Sequence, residues 1–377
     1  MKGETGGGVL HAVYLAKEWE RLGNNVAFIT NASDYGYSAY DGVTNISRLP
    51  SLRRPFVLDM FFNYIIQRRS VIPMVKERCG NEQRDDTIVI ATGSYPSDVL
   101  AAFLVSRNLK LKSVVFFHHL FQPPWRHPFK RGGLIRTSVN WFLNQAALSI
   151  VKIGNLSLCL DYPIELDELG WRFKSGVLKD SNFLPSEDRD VHQDATNERS
   201  ISACFVGRVS INKGVLDLLK AWKSVVKELP RACLIIAGNP VTSRFARRLT
   251  SFVDRFHLKN NVYLDFRYVD EKEKQAILAS SRLFIFPSYE EGWSLSVMEA
   301  ASYGALPVTY DLHAYGYLGP NAIKVKAGCI KDLSIAIVDI LRDEKKRLNL
   351  AAELRERVIL YHGRDIGSEM LQKFRQL

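Results

Sequence analysis

Cysteine is scarce. Five residues in 377 (Cys79, Cys159, Cys204, Cys233 and Cys329) lie far apart and are odd in number. None has the C-x-x-C spacing of a zinc or redox site, so neither a disulfide framework nor a structural zinc is expected, and a reducing cytoplasm fits. No apolar run approaches the roughly 18 residues of a membrane-spanning helix. The richest, residues 57–66, is short and flanked by arginine. The glycine-rich start does not read as a secretory signal. With 24 glycines and 14 prolines the chain is neither collagen-like nor low in complexity. What it does contain, 46% hydrophobic residues including 20 Phe, 15 Tyr and 6 Trp, can fill the cores of two or three domains.

The formal net charge is +11, and residues 48–136 hold most of the surplus, with 15 Lys/Arg against six Asp/Glu. An anionic partner follows. Residues 53–69 and 125–131 set aromatics between Arg and Lys. That pattern suits either a core helix with solvated ends or an interfacial helix on an anionic membrane. No RRM, KH, zinc-finger or helix-turn-helix signature accompanies the charge, so nucleic acid is not the expected partner.

Short apolar strands are expected at residues 26–30, 87–92 and 113–117, with helices following Gly6-Gly7-Gly8 and at 96–106. Residues 180–200 are polar and have a linker's composition. The alternation then resumes, with strands at 201–206, 232–237, 262–266, 283–286 and 306–309. Helices fall at 214–227, 244–256, 271–279 and 294–303, and 331–361 reads as largely helical. Such alternation builds parallel sheets whose ligands bind beyond the carboxyl ends of the strands.

Two motifs carry chemistry. In Phe205-Val-Gly207-Arg208 through Lys213-Gly214, a strand ends, glycine turns the chain and a helix begins. Free N–H groups and two cations then share one loop, a setting for a diphosphate or simply two solvated cations. In Phe286-Pro-Ser288-Tyr-Glu290-Glu291-Gly292-Trp293-Ser294-Leu295 through Glu299, two carboxylates lie eight residues apart. Glu291 falls where the helix begins and Glu299 further along its inward face. Each carboxylate can accept two hydrogen bonds from a vicinal diol, and the N–H groups of Trp293, Ser294 and Leu295 would face a phosphate.

These residues resemble the retaining nucleotide-sugar glycosyltransferases of GT-B family 4. Gly6-Gly7-Gly8 followed by a helix is similar to that family's glycine loop, and Val114-Val-Phe-Phe-His118 to its strand ending in histidine. The resemblance implies an α/β protein of GT-B type, two Rossmann-like parallel-sheet domains facing a cleft. Residues 1–182 would bind the acceptor and 183–355 the nucleotide sugar, and a C-terminal helix in 356–377 would cross back. It implies transfer of a hexose from a UDP- or GDP-sugar to a glycan or lipid-linked acceptor, with retention, with no metal and with no cofactor beyond the donor. Arg208 and Lys213 would neutralise the diphosphate, Glu299 hold the ribose, Glu291 meet the sugar and Val269 lie by the base. Gly292, Trp293, Ser294 and Leu295 would complete the donor site. His118, Gly7 and Gly8 would face the cleft, and domain closure would exclude water. The implied location is the cytoplasm, with contact at the inner face of the membrane.

Three features depart from the family pattern. Only Met1 to Thr5 precede Gly6, so the family's first strand is either missing or cut off by the recorded start, Tyr310 to Gly316 replace its glycine pair, and Val177 to Pro185 lack its asparagine-glycine turn. A catalytically inactive sugar- or lipid-binding relative is the alternative, and an NAD-type oxidoreductase is a third reading, motivated by the glycines alone. Asp188-Arg-Asp190 lies in the polar linker and His118, His119 and His127 lack acidic partners, so no metal site is expected. Met298 reads as core and Glu290 as solvated. Tyr315 and Trp125 read as core plugs, with sugar stacking as the alternative.

Overall fold

The computed structural model describes residues 7–31, 46–49, 71–79, 86–121, 123–126, 133–160, 166–167, 169–173, 176–180, 199–361 and 365–377. Outside them lie Gly6, the basic aromatic stretch 53–69, His127 with the rest of 127–132, most of the expected linker and the Asp188-Arg-Asp190 motif. The chain divides into two compact units, Met1–Asn182 with Asp365–Leu377, and Phe183–Arg364.

The first unit begins with α1 (Gly7–Arg21), β1 (Phe28–Asn31), β2 (Ile46–Leu49) and α2 (Ile72–Cys79). It continues with β3 (Ile88–Ala91), α3 (Pro96–Leu109), β4 (Lys112–Phe117), α4 (Gly133–Gly154), β5 (Ser157–Leu160) and β6 (Val177–Lys179). Strands β3 to β6 form a four-stranded parallel sheet in chain order, and β1 pairs with β2 in parallel. Val114 to Phe117 of β4 are buried without alternation, as a strand covered on both faces must be. Proline starts α3, where its missing N–H costs nothing, and Val99, Ala102, Val105 and Leu109 give the helix its buried stripe.

The second unit contains β7 (Ile201–Val206), α5 (Val215–Glu228), β8 (Leu234–Ala237), α6 (Ser243–Arg255), β9 (Val262–Asp265) and α7 (Glu271–Ser280). After these come β10 (Ser281–Phe286), α8 (Leu295–Ser302), β11 (Leu306–Tyr310), β12 (Ile323–Val325), α9 (Ile330–Arg342) and α10 (Glu344–Ile359). The six strands are parallel in the order β12-β11-β10-β7-β8-β9. The order reverses between β7 and β10, which opens a crevice at their carboxyl ends. Thr242 caps α6 through Phe245 N at 3.1 Å, and Asp270 with Glu273 forms a capping box on α7. The expected helical run 331–361 is broken at Asp343, whose carboxylate accepts from Lys346 N at 2.9 Å and so starts a second helix. Helix α10 also carries this unit past residue 355. Only α11 (Ile366–Arg375) belongs to the first unit, where Trp19 Nε1 donates to Gly367 O at 2.9 Å and Phe374 packs on Trp19 and Phe116.

Glu344 accepts from the buried Arg347 at 2.6 and 3.0 Å and also from Arg282. These contacts, Arg347 foremost, hold its carboxyl down at about 2. A depressed carboxyl stabilises the fold above its unfolded value, near 4.3, and loses that contribution as pH falls through the folded value. Because the carboxylate is half exposed, the pair contributes only about 1 kcal/mol. Glu344→Gln should lower Tm at pH 7 by about 2–4 °C, a deficit that shrinks between pH 4 and pH 2. Thermal melts across that range check it; a deficit independent of pH would contradict it.

Candidate functional site

The loops at the point of reversal are laced together by their backbones. Gly214 caps α5 in the left-handed conformation (φ +66°), and a Cβ placed there would lie 2.0 Å from Pro287 O. Only glycine lets the loop after β7 approach the loop after β10 this closely. Tyr289 N donates to Asn212 O at 2.9 Å, Ser288 Oγ to Glu290 O at 3.0 Å, and Asn212 Nδ2 to Glu290 Oε2 at 3.1 Å. Glu290 is therefore a loop fastener rather than the solvated carboxylate expected from sequence. Below the loops, the buried Asp217 carboxylate accepts from the hydroxyls of Tyr289 and Tyr310 and from Lys220 Nζ. Burial, then Asp217, pushes both phenols above their usual range, so they remain donors.

On this platform Lys213 Nζ donates to Glu291 Oε1 at 2.5 Å, and the Glu291 side chain is only 8% exposed. The ammonium also sits 5.2 Å above the Phe286 ring. Arg208 is exposed on the same loop. Sequence reading assigned Lys213 and Glu291 to different parts of a ligand; the structure brings them to each other.

Ser294 precedes α8 without a side-chain cap, which leaves the positive end of the helix dipole to a guest, although Leu295 N already donates to Trp293 O at 3.1 Å. Glu299, one turn further along, pairs with Lys274 Nζ at 2.9 Å, and the same ammonium reaches Glu271 at 2.9 Å. Burial pushes the Glu299 carboxyl up, while Lys274 pulls it back. Burial pulls Lys274 down, but its two carboxylates outweigh that and keep it cationic. Lys274 was missed from sequence, because it faces Glu299 only through the packing of α7 on α8. Gly292 lies in the loop ahead of α8, and Trp293 packs on Tyr317 and Tyr361. Val269 is partly buried against the core, and Met298 and Tyr315 are fully buried within it. Trp125, in contrast, is 72% exposed and meets Trp141 edge-on at 5.3 Å, so it plugs nothing.

In the first unit the expected glycine loop is not a loop: Gly7 and Gly8 are the first residues of α1. A Cβ at Gly8 would come within 2.6 Å of the His118 ring. His118 follows β4, with Nδ1 4.0 Å from Asp180 Oδ2, and His11 Nδ1 lies 3.6 Å from the same oxygen. Burial, reinforced by His11, pushes His118 down to about 3, so its imidazole is neutral at physiological pH. Neither His11 nor Asp180 was legible as a site residue. Asp180, assigned to the linker, is instead a buried carboxylate at the end of β6.

Residues 186–357 match the model of the family described as Glycosyl transferases group 1. The second unit is a group 1 glycosyl transferase domain. The poly(glycerol-phosphate) alpha-glucosyltransferase of Bacillus subtilis (strain 168) is 32% identical over 147 residues, a match covering 38% of this chain and 21% of that protein. The chain thus spans about a fifth of that relative's length. Among solved structures, sucrose-phosphate synthase (tll1590) from Thermosynechococcus elongatus superposes with a TM-score of 0.74 at 17% identity, over 99% of this chain and 94% of that one. Anabaena Alr3699/HepE in complex with UDP and glucose gives 0.70 at 15% identity, over 100% and 97%. At such identities the likeness shows the fold, which is GT-B: two parallel-sheet α/β units in tandem. In the group 1 domain here, the Lys213–Glu291 pair and the uncapped end of α8 both lie at the carboxyl edge of the sheet, at its point of reversal.

Proposed function

We propose that the protein transfers a hexose from a UDP- or GDP-sugar to a glycan or lipid-linked acceptor, with retention of anomeric configuration and without a metal ion. The observation that carries this reading is the largely buried Lys213–Glu291 pair at the reversal of the sheet. A diphosphate offers Lys213 a doubly charged partner, which frees Glu291 to accept from sugar hydroxyls. Arg208, on the same loop, and the positive end of α8 add to the field on the phosphates. As the anomeric C–O bond breaks, negative charge builds on the departing diphosphate, and fixed cations and N–H groups stabilise it. The acceptor hydroxyl attacks from the face the leaving group departs, and its proton passes to the departing phosphate oxygen. Glu299 holds the ribose diol and Val269 borders the base. His118, Gly7 and Gly8 serve the acceptor-binding unit, His118 as a neutral polar group.

Anionic or lipid-linked acceptors suit the chain's charge. Exposed Trp125, Val139 and Phe142 favour peripheral contact with an anionic membrane at its inner face. Among the described residues no helix is long and apolar enough to cross a membrane.

A thermal-shift panel of nucleotide sugars, followed by transfer of labelled sugar from the donor that binds, tests the proposal. A donor at 100 times its Kd adds about 2.7 kcal/mol of stability. No shift with any UDP- or GDP-sugar would overturn the donor assignment, and binding without turnover would leave the inactive relative as the better reading. Glu299→Gln should weaken donor binding by about ten- to a hundredfold, the loss of a charge-assisted hydrogen bond. Titration calorimetry with the nucleoside diphosphate and with its sugar measures it, and equal weakening for both places Glu299 on the ribose.

A further inference from the structure

The second concentration of chemistry lies wholly within the first unit. Strand β4 delivers His118 and strand β6 delivers Asp180 from the carboxyl edge of the sheet, and α1 presents His11 to both. Both imidazole Nδ1 atoms face one oxygen of Asp180, and one potential ligand atom from each of the three residues lies within 4.8 Å of the others. The side chains of His11 and Asp180 are 9% and 2% exposed, and His118, at 24%, leaves a way in from solvent.

The rings are held from several sides. Phe116 stacks on His118 at 5.6 Å and meets His11 edge-on at 5.7 Å, and the two imidazoles meet edge-on at 5.2 Å. The bare backbone of Gly8 sits where any side chain would strike the His118 ring. Two imidazoles and one carboxylate are the donor set of borderline divalent cations such as Zn²⁺ and Co²⁺, whereas Mg²⁺ prefers oxygen alone. Ligand atoms arranged tetrahedrally about zinc, at its usual bond lengths, stand about 3.4 Å apart. The observed 3.6 and 4.0 Å, within a set whose ligand atoms all lie within 4.8 Å of one another, come to that spacing by an inward rotation of the rings.

We propose that His11, His118 and Asp180 form a binding site for one divalent transition cation of the zinc class. A cation there is held by the buried carboxylate and the two rings and keeps at least one coordination position for water. The site plays no part in breaking the donor's glycosidic bond. One consequence rests on the transferase reading above: a cation on His118 withdraws that side chain from the acceptor, so Zn²⁺ inhibits transfer while Mg²⁺ does not.

The test uses the full chain, free of any affinity tag and stripped with a chelator. Titration with Co²⁺ should give a saturable visible d–d band at one equivalent, which Zn²⁺ abolishes by displacement. Asp180→Asn and His11→Gln should each weaken Co²⁺ binding by at least about tenfold, and His119→Gln should leave it unchanged. Thermal melts without metal establish that each variant is folded, and two independent variants guard against one that is not. Absence of a saturable band, or affinity unchanged in folded Asp180→Asn and His11→Gln, overturns the site. The labelled-transfer assay, repeated with Zn²⁺, separates the two readings: cation binding without inhibition upholds the site and removes His118 from transfer.

Discussion

Lys213→Ala should lower kcat/KM for the nucleotide-sugar donor by about 10²–10³-fold, the loss typical of removing one preorganised group that stabilises charge developing in a transition state. The size follows from the position of the ammonium. It is only 21% exposed, it lies over the Phe286 ring, and its backbone is pinned between Ser210 and the Gly214 cap. Little reorganisation is then needed as the diphosphate gathers charge. The substitution also strips Glu291 of its counter-charge at a site where that carboxylate is 8% exposed, so donor binding suffers as well. The loss should therefore appear in both kcat and KM. Lys213→Arg should recover part of the rate, because it restores the charge without the compact ammonium geometry. Initial rates with labelled donor measure both variants, alongside thermal melts. A Lys213→Ala protein that is folded and within threefold of the parent rate would remove this residue from the diphosphate site.

The architecture of the second unit was legible because its signals are local. Val206 to Val215 and Phe286 to Leu295 each carry strand end, turn and helix start within a dozen residues. The structure places β7, α5, β10 and α8 within a residue or two of the expected bounds. What the sequence did not disclose depends on partners distant in the chain. Glu299 meets Lys274, 25 residues away, only because α7 packs beside α8. Glu290 reads as exposed until Asn212 closes on it from the other loop. Asp180 follows a three-residue strand and heads a polar stretch, so composition placed it in a linker, whereas the sheet carries it into the core beside two histidines. Gly7 and Gly8 were placed in a loop by resemblance to the family's glycine loop; the close pass of the His118 ring explains why the helix, for which glycine is a poor former, carries Gly8. Strand β5 and helix α4 went unread, since the apolar residues from 133 onward are interrupted by Arg136, Asn140, Asn144, Gln145 and Lys152, interruptions that do not mark where such elements begin and end.

Gly214→Ala should be among the most damaging single methyl groups in the second unit. The residue holds φ +66°, and a side chain in that left-handed conformation costs about 1–2 kcal/mol before any contact is considered. Its Cβ would then stand 2.0 Å from Pro287 O and 2.8 Å from Pro287 C, which are backbone atoms that cannot rotate away. The loops must part, and the hydrogen bonds of Asn212 to Tyr289 and Glu290 lie directly in the line of separation. The total penalty should reach about 3 kcal/mol or more, a fall in Tm of roughly 6–12 °C for a unit of this size. Because Lys213 is the adjacent residue, the same parting pulls its ammonium from Glu291 and should weaken donor binding even at temperatures where the variant is fully folded. Gly316→Ala provides the contrast. An added Cβ there meets nothing within 4 Å and the backbone is not left-handed, so its melt should match the parent within about 0.5 kcal/mol. Melting curves for the pair, with and without nucleoside diphosphate, measure both effects. Equal stability of the two variants would mean that the loops after β7 and β10 are not pressed together at Gly214, and the donor site would lose the contact that assembles it.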